Sequence, residues 1–507
     1  MEFIAFFKAI VDFVTPRTIG LMAFSMSLGI IVGALPGLSA VLGIALLTGI
    51  TYSFGKLTAM IMMMGVYIGA IYAGSLSAIL INIPGTGSAA ATCLDGYQMA
   101  KQGKATDAII TARIASFIGS LAGLICFLML TPLIIRIALS FTSAEYFWLG
   151  IFGVLICGSL AAPDLPIKGW ISGLTGMMLS YVGLEDIGAY ERFTFDIPQL
   201  ISGIPWVPLM IGFFGIPQVV KSIRDAKEFE IMGRLKKSIN TFLVVKDHIG
   251  GIIKWALLGV GIGAIPGVGE NIAAWAAYGV AKKDSPHPEK FGSGVIEGVM
   301  APEVANNAAV GGAIIPLLTL GVPGSPPTAV FMGALMLHGI RPGPMLAVEN
   351  PTFVYEMGAW LFWGTIMLLV IGILSARPMS QILRVPPMIL APLIAVLCVV
   401  GTFSVSSEPF DIKLLIIFGI AGYILDKYGY HAGPLVLGFI LGPLTDANFR
   451  RTLFLAHGNP LSLINRPISF LLFCATVLML LNYFPPFQRA KNSFFNKFKR
   501  NRSSTTQ

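Results

Sequence analysis

The feature that most constrains this chain is a set of long intervals without a single Asp, Glu, Lys or Arg. Three of them, 18–55, 57–94 and 304–340, each exceed 35 residues. A membrane-spanning helix needs about 20 apolar residues, so none of the three fits one crossing. Each carries a Pro-Gly pair inside it: Pro36-Gly37, Pro84-Gly85 and Pro323-Gly324. Proline removes a backbone donor and glycine tolerates conformations closed to other residues, so the pair interrupts a helix. The expectation is a broken helix or re-entrant hairpin in each interval.

Ordinary spans are expected near 114–135, 146–163, 197–220, 357–376, 385–407, 428–445 and 467–488, with shorter ones near 166–184, 249–269 and 411–425. That makes ten to fourteen segments. Composition agrees: charged residues are 12% of the 507, against roughly 25% in a soluble domain, and the mean hydropathy is +0.80. The fold class is an all-α polytopic membrane protein in a lipid bilayer. Residues 3–14 read as a short interfacial helix rather than a removable leader, because Glu2 and Asp12 flank them and no small-residue cleavage site follows. The net charge of +9 lies in short loops and a tail, so no nucleic-acid partner is expected. The five Cys and five His form no metal-ligand spacing.

The broken segments recur. Gly29-Ile-Ile-Val-Gly33-Ala-Leu-Pro36-Gly37 returns 230 positions later as Gly259-Val-Gly-Ile-Gly263-Ala-Ile-Pro266-Gly267. Asn82-Ile-Pro84-Gly85-Thr86-Gly87-Ser88 is answered by Gly321-Val-Pro323-Gly324-Ser325. The chain therefore divides into an N-terminal helix (1–17), a first half (18–220), a basic connection (221–248), a second half (249–485) and a basic tail (486–507). The Lys/Arg bias puts the connection and tail in the cytoplasm and the acidic loop 185–196 outside. Lys101 and Lys104 follow the first hairpin whereas Glu349 and Glu356 follow the second, which favours inverted halves.

Broken backbone at membrane depth leaves amides and carbonyls unsatisfied unless they line a polar cavity or meet a ligand. Paired interrupted segments in two halves point to a transporter's central site, where helix starts present amides to an anion. The substrate-binding candidates are accordingly Pro36, Gly37, Ser39, Gly85, Thr86, Gly87, Ser88, Pro266, Gly267, Gly324, Ser325 and Thr328. Asn82, Asn306 and Asn307 carry oxygens suited to Na⁺, with interhelical hydrogen bonding as their plainer role. Asp95, Glu270 and Glu303 are candidate coupling carboxylates, though Asp95 and Glu270 also suit helix capping. Gly65/Gly69, Gly119/Gly123 and Gly169/Gly173 read as small-residue helix packing.

Gly33-Ala-Leu-Pro-Gly37, Asn82-Ile-Pro-Gly-Thr86, Asp95-Gly-Tyr97, Gly263-Ala-Ile-Pro-Gly-Val-Gly-Glu270, Ala301-Pro-Glu-Val-Ala-Asn-Asn-Ala308 and Leu320-Gly-Val-Pro-Gly-Ser325 together resemble the large permease subunit (TctA-like) of bacterial tripartite tricarboxylate transporters. The resemblance spans about residues 15–480. It implies a cytoplasmic-membrane permease that works with a small four-helix membrane subunit and a periplasmic substrate-binding protein. It also implies secondary transport of citrate or another carboxylate, driven by Na⁺, with no bound cofactor. The halves differ in one place, Pro36-Gly-Leu-Ser-Ala40 against Pro266-Gly-Val-Gly-Glu270, so an ion site can belong to one half alone. The expected mechanism is alternating access, with an elevator-like mobile part. A channel and an intramembrane hydrolase are the competing classes. The hydrolase lacks a base placed near Ser39 or Ser88, since His338 is the one His within a long apolar interval.

Overall fold

The computed structural model describes residues 2–35, 38–185, 187–224, 246–382 and 387–483. The basic tail and residues 225–245 of the connection therefore lie outside the described residues, as do Pro36 and Gly37. Almost everything described is helix. The first part runs α1 (Glu2–Asp12), α2 (Pro16–Ala34), α3 (Ala40–Thr51), α4 (Lys56–Ile81), α5 (Ala90–Lys101), α6 (Ala105–Ala138), α7 (Ser143–Ala161), α8 (Pro166–Ser180) and α9 (Trp206–Arg224). The second runs α10 (Ile249–Gly263), α11 (Gly269–Asp284), α12 (Glu297–Leu320), α13 (Pro326–Leu337), α14 (Pro344–Glu349), α15 (Phe353–Ile382), α16 (Pro387–Ser406), α17 (Pro409–Lys427), α18 (Ala432–Leu455) and α19 (Pro467–Leu481). Gly183–Leu184 and Glu191–Arg192 pair as two-residue antiparallel strands in the loop between α8 and α9.

Seven of the described helices are long and apolar enough to cross a bilayer: α2, α4, α6, α7, α9, α12 and the Phe353–Ser375 part of α15. The ten to fourteen segments expected include shorter pieces, and among the described residues five shorter apolar helices accompany the seven: Ala40–Thr51, Ile249–Gly263, Pro326–Leu337, Ala391–Ser406 and Pro467–Leu481. Proline alone does not break these helices. Pro132, Pro217, Pro302, Pro316 and Pro443 all sit within one, whereas Pro84-Gly85, Pro266-Gly267 and Pro323-Gly324 each fall between two.

The centre is built from α4 and α12. Their most apolar windows are 100% and 94% buried, against 28% for α6, so these two helices see protein on nearly every side. Small residues permit the close contacts. α2 packs along α4 with Gly29 and Gly33 against the backbone of Val66 and Ala70, where a methyl group has no room. α10 packs along α12 in the same manner, with Gly259 and Gly263 against Ala305 and Ala309. Gly119 and Gly123 of α6 sit on Val304 and Ala308 of α12, a packing role of the kind read from their spacing. Further out, α8 packs on α18 and α17 on α9.

Candidate functional site

Four interruptions converge. α2 ends at Ala34, and the chain resumes as α3 behind Ser39, whose side chain caps the new helix by accepting from the Leu42 amide. α4 ends at Asn82 in the left-handed region (φ 57°). After it, the Gly85 amide donates to the Gly74 carbonyl (3.3 Å), and the Thr86 and Ser88 hydroxyls share a 3.0 Å hydrogen bond ahead of the 3-10 turn Gly87–Ala89 that leads into α5. α10 stops before Gly267 (φ 73°), whose amide donates to the Pro323 carbonyl (3.1 Å) and so ties the third interruption to the fourth. There α12 ends at left-handed Gly321, the Gly324 amide donates to Ala313 (3.3 Å), and Ser325 opens α13 in a capping box with Thr328. Pro326 takes the first helical position, where its missing N–H costs nothing.

Between these interruptions lies one cavity of about 420 Å³, within the usual range of about 300–1,000 Å³ for small-molecule sites. Ser39, Thr86, Gly87, Gly267, Glu270 and Asn271 line it, with Pro326 and Pro327 on one wall. The starts of α3, α11 and α13 and the turn leading into α5 all reach its wall. Helix starts carry unpaired amides and a partial positive charge, which favours an anion. Glu270 lies in the first turn of α11, where such a charge stabilises it. It is 2% exposed and accepts a hydrogen bond from the Tyr67 hydroxyl, which also shares a 3.1 Å bond with Ser325 Oγ. Ser88, Ser325 and Thr328 are buried and serve as caps and mutual partners. Gly85 and Gly324 are pressed against the carbonyls of Gly33 and Gly263, and buried Pro266 packs beside Gly153.

A second polar cluster lies along α12. Glu303, Asn306 and Asn307 are fully buried. Glu303 accepts from Thr92 of α5 (2.7 Å) and Ser116 of α6 (3.0 Å). The Asn307 amide donates to the Glu303 carbonyl (3.0 Å) and to Asn306 Oδ1 (2.6 Å). Asn307 Oδ1 receives no hydrogen bond among the described residues. Asn82 stands apart from this cluster: it is exposed, at the end of α4. Asp95 also stands apart, buried in α5. It accepts from the Tyr278 hydroxyl (2.9 Å) and from the amides of Gly292 (2.9 Å), Gly294 (2.8 Å) and Val295 (2.9 Å). That is a clamp between α5 and the approach to α12.

Sequence reasoning missed Tyr67, which bonds Glu270, and Asn271 and Lys221, which line the cavity. Tyr67 sits in a Met-rich apolar run and looks like filling, while Lys221 looks like one more loop charge. Asn271 carried a usable signal, a polar residue one position after Glu270 beside a Pro-Gly break.

A helical membrane chain that brings three helix starts and a fourth interruption's turn to one central chamber has the build of a permease, and the comparisons with known proteins name the kind. Residues 19–437 match the tripartite tricarboxylate transporter TctA family, and the chain belongs to that family: a transporter rather than an enzyme, with many passes through the inner membrane. It is 37% identical over 458 residues, 90% of this chain and 91% of the relative, to an uncharacterized 52.8 kDa protein in the TAR-I ttuC' 3' region of Agrobacterium vitis. An uncharacterized protein in the TAR-II ttuC' 3' region of the same organism is 36% identical over 235 residues, 46% of this chain and 97% of the relative. No solved structure matches.

Proposed function

We propose that this chain is the large permease subunit of a tripartite secondary transporter. It imports citrate or another di- or tricarboxylate across the cytoplasmic membrane by Na⁺ symport, receives it from a periplasmic binding protein and works beside a small four-helix membrane subunit. The observation that carries the reading is the cavity walled by Ser39, Thr86, Gly87, Gly267 and Pro326, where the interruptions meet. Amides at the starts of α3 and α11 and in the Thr86–Gly87 turn, with the Thr86 hydroxyl, hold the carboxylates, while Pro326, which has no N–H, only shapes the wall. Na⁺ takes the oxygens of the Glu303–Asn306–Asn307 cluster with Thr92 and Ser116. The support is chemical: these are hard oxygen donors, one of them, Asn307 Oδ1, without a hydrogen-bond partner among the described residues. Asn82, read with Asn306 and Asn307 from the sequence, is exposed at the end of α4 and stands apart from that cluster.

Two inverted halves moving as an elevator remain the mechanism we favour. Matched contacts support the halves: Gly33 on Ala70 beside Gly263 on Ala309, left-handed Asn82 beside left-handed Gly321, and Gly85 to Gly74 beside Gly324 to Ala313. Basic loops gather at one end, where Gln102 donates to the Ser293 carbonyl (2.7 Å) and Lys254 pairs with Asp284 (2.5 Å). By the positive-inside rule that end is cytoplasmic. The test is counterflow of radiolabelled di- and tricarboxylates in proteoliposomes, with the small subunit and binding protein added or omitted and Na⁺ replaced by K⁺. Carboxylate exchange that requires Na⁺ is the expected result, and exchange indifferent to the cation removes the symport.

A further inference from the structure

We propose that Lys221 and Asp426 form an anion subsite at the cytoplasmic mouth of the cavity, where a departing carboxylate exchanges places with the Asp426 carboxylate on the lysine. Lys221 is in the last turn of α9, and Lys221 Nζ lies 2.6 Å from Asp426 Oδ2 near the end of α17. Both residues line the same cavity as Ser39, Thr86 and Gly267, and Gln218 and His431 are beside them. Among the described residues of that lining, Lys221 is the one Lys or Arg. An anion leaving the helix starts therefore meets one fixed positive charge on its way out. The charge faces the cytoplasm, because α9 runs on into the basic connection.

The position of Asp426 points the same way. A carboxylate at a helix C-terminus faces the negative end of the helix dipole, so it is not there to stabilise α17. It neutralises Lys221. The two side chains are 38% and 28% exposed, and a pair in contact with water contributes little to stability. Such a pair opens cheaply. A bare lysine would hold the substrate and slow its release, whereas a lysine already shared with Asp426 offers each carboxylate a transient partner.

This inference rests on the carboxylate reading above, and the experiment separates the two. Radiolabelled citrate and succinate are exchanged across vesicles bearing the whole complex, with half-saturation measured at the cytoplasmic face (inverted vesicles) and at the periplasmic face (right-side-out vesicles). Lys221→Gln raises the cytoplasmic value about tenfold, the weight of one charge-assisted hydrogen bond, and leaves the periplasmic value within about twofold. Lys221→Arg keeps the cytoplasmic value near wild type. Asp426→Asn leaves that value equal or lower, and this arm decides the matter if Lys221→Gln fails to reach the membrane. A cytoplasmic value unchanged in Lys221→Gln, or raised in Asp426→Asn as for a mere strut, overturns the subsite alone. A wild-type complex that exchanges neither anion removes the carboxylate reading, and the subsite with it.

Discussion

Tyr67 in the middle of α4 donates its hydroxyl hydrogen to the carboxylate of Glu270 at the start of α11, joining residues 203 positions apart in the chain. Both are buried. The bond ties the buried helix α4 to the first turn after the third interruption, and the shared contact with Ser325 extends it to the fourth. Tyr67→Phe removes the donor and keeps the ring. A buried polar group left without its partner costs about 1–3 kcal/mol. The melting temperature of the purified protein falls and carboxylate exchange falls with it; an unchanged melting temperature would show that the bond carries no weight.

The glycine contacts give a sharper contrast within one helix. At Gly263 an added methyl group meets the backbone of Ala309, whereas at Gly261, two residues earlier, it meets nothing within 4 Å. Gly263→Ala costs about 1–3 kcal/mol through overpacking, and more if the backbone cannot shift. Gly261→Ala is neutral or stabilising by up to about 1 kcal/mol through helix propensity. Thermal unfolding of the two variants side by side checks this, and equal melting temperatures contradict the packing.

Asn306 and Asn307 are where the proposed Na⁺ site is most exposed to test. Asn306→Ala or Asn307→Ala weakens Na⁺-dependent uptake more than it weakens assembly. The measurement is uptake against Na⁺ concentration, with the amount of complex in the membrane as control. Wild-type uptake and Na⁺ dependence in both variants would remove these residues from the ion site.

Asp95 holds one phenolic hydroxyl and three backbone amides. Asp95→Ala leaves all four donors without this acceptor, a loss of about 3 kcal/mol or more given that a hydrogen bond to a charged group contributes about 1.5–3. A clamp predicts low yield and a lowered melting temperature, with the Na⁺ dependence of the surviving protein unchanged. A stable variant with altered Na⁺ dependence would make Asp95 a coupling group instead.

Much of this was legible in the residues. Charge-free intervals too long for one crossing announced three of the interruptions and the recurring segment announced the fourth at Pro266-Gly267; Pro-Gly located them, because proline without glycine is accommodated within α6, α9 and α12. The spacing of Gly119/Gly123 carried a helix contact, since only a residue without a side chain admits that approach. What the chain could not reveal was which polar groups meet. Glu270 and Glu303 look alike in sequence, yet one faces a cavity and the other is enclosed by Thr92 and Ser116. Lys221 and Asp426 come together only once α9 and α17 pack, and neither lies near a break. Partnerships of this kind are set by tertiary approach, which local periodicity does not encode.

The central claim is that the interruptions wall a water-filled chamber for a carboxylate. The direct measurement is thiol labelling of Ser39→Cys and Gly87→Cys, in a chain whose five cysteines are replaced, with a water-soluble maleimide in active proteoliposomes with and without citrate. Lys283→Cys, exposed in the last turn of α11, is the control outside the cavity. The account predicts that both cavity positions label and that citrate slows both while leaving the labelling of position 283 unchanged. Cavity positions that never label, or that label at the same rate while citrate is being transported, would contradict it.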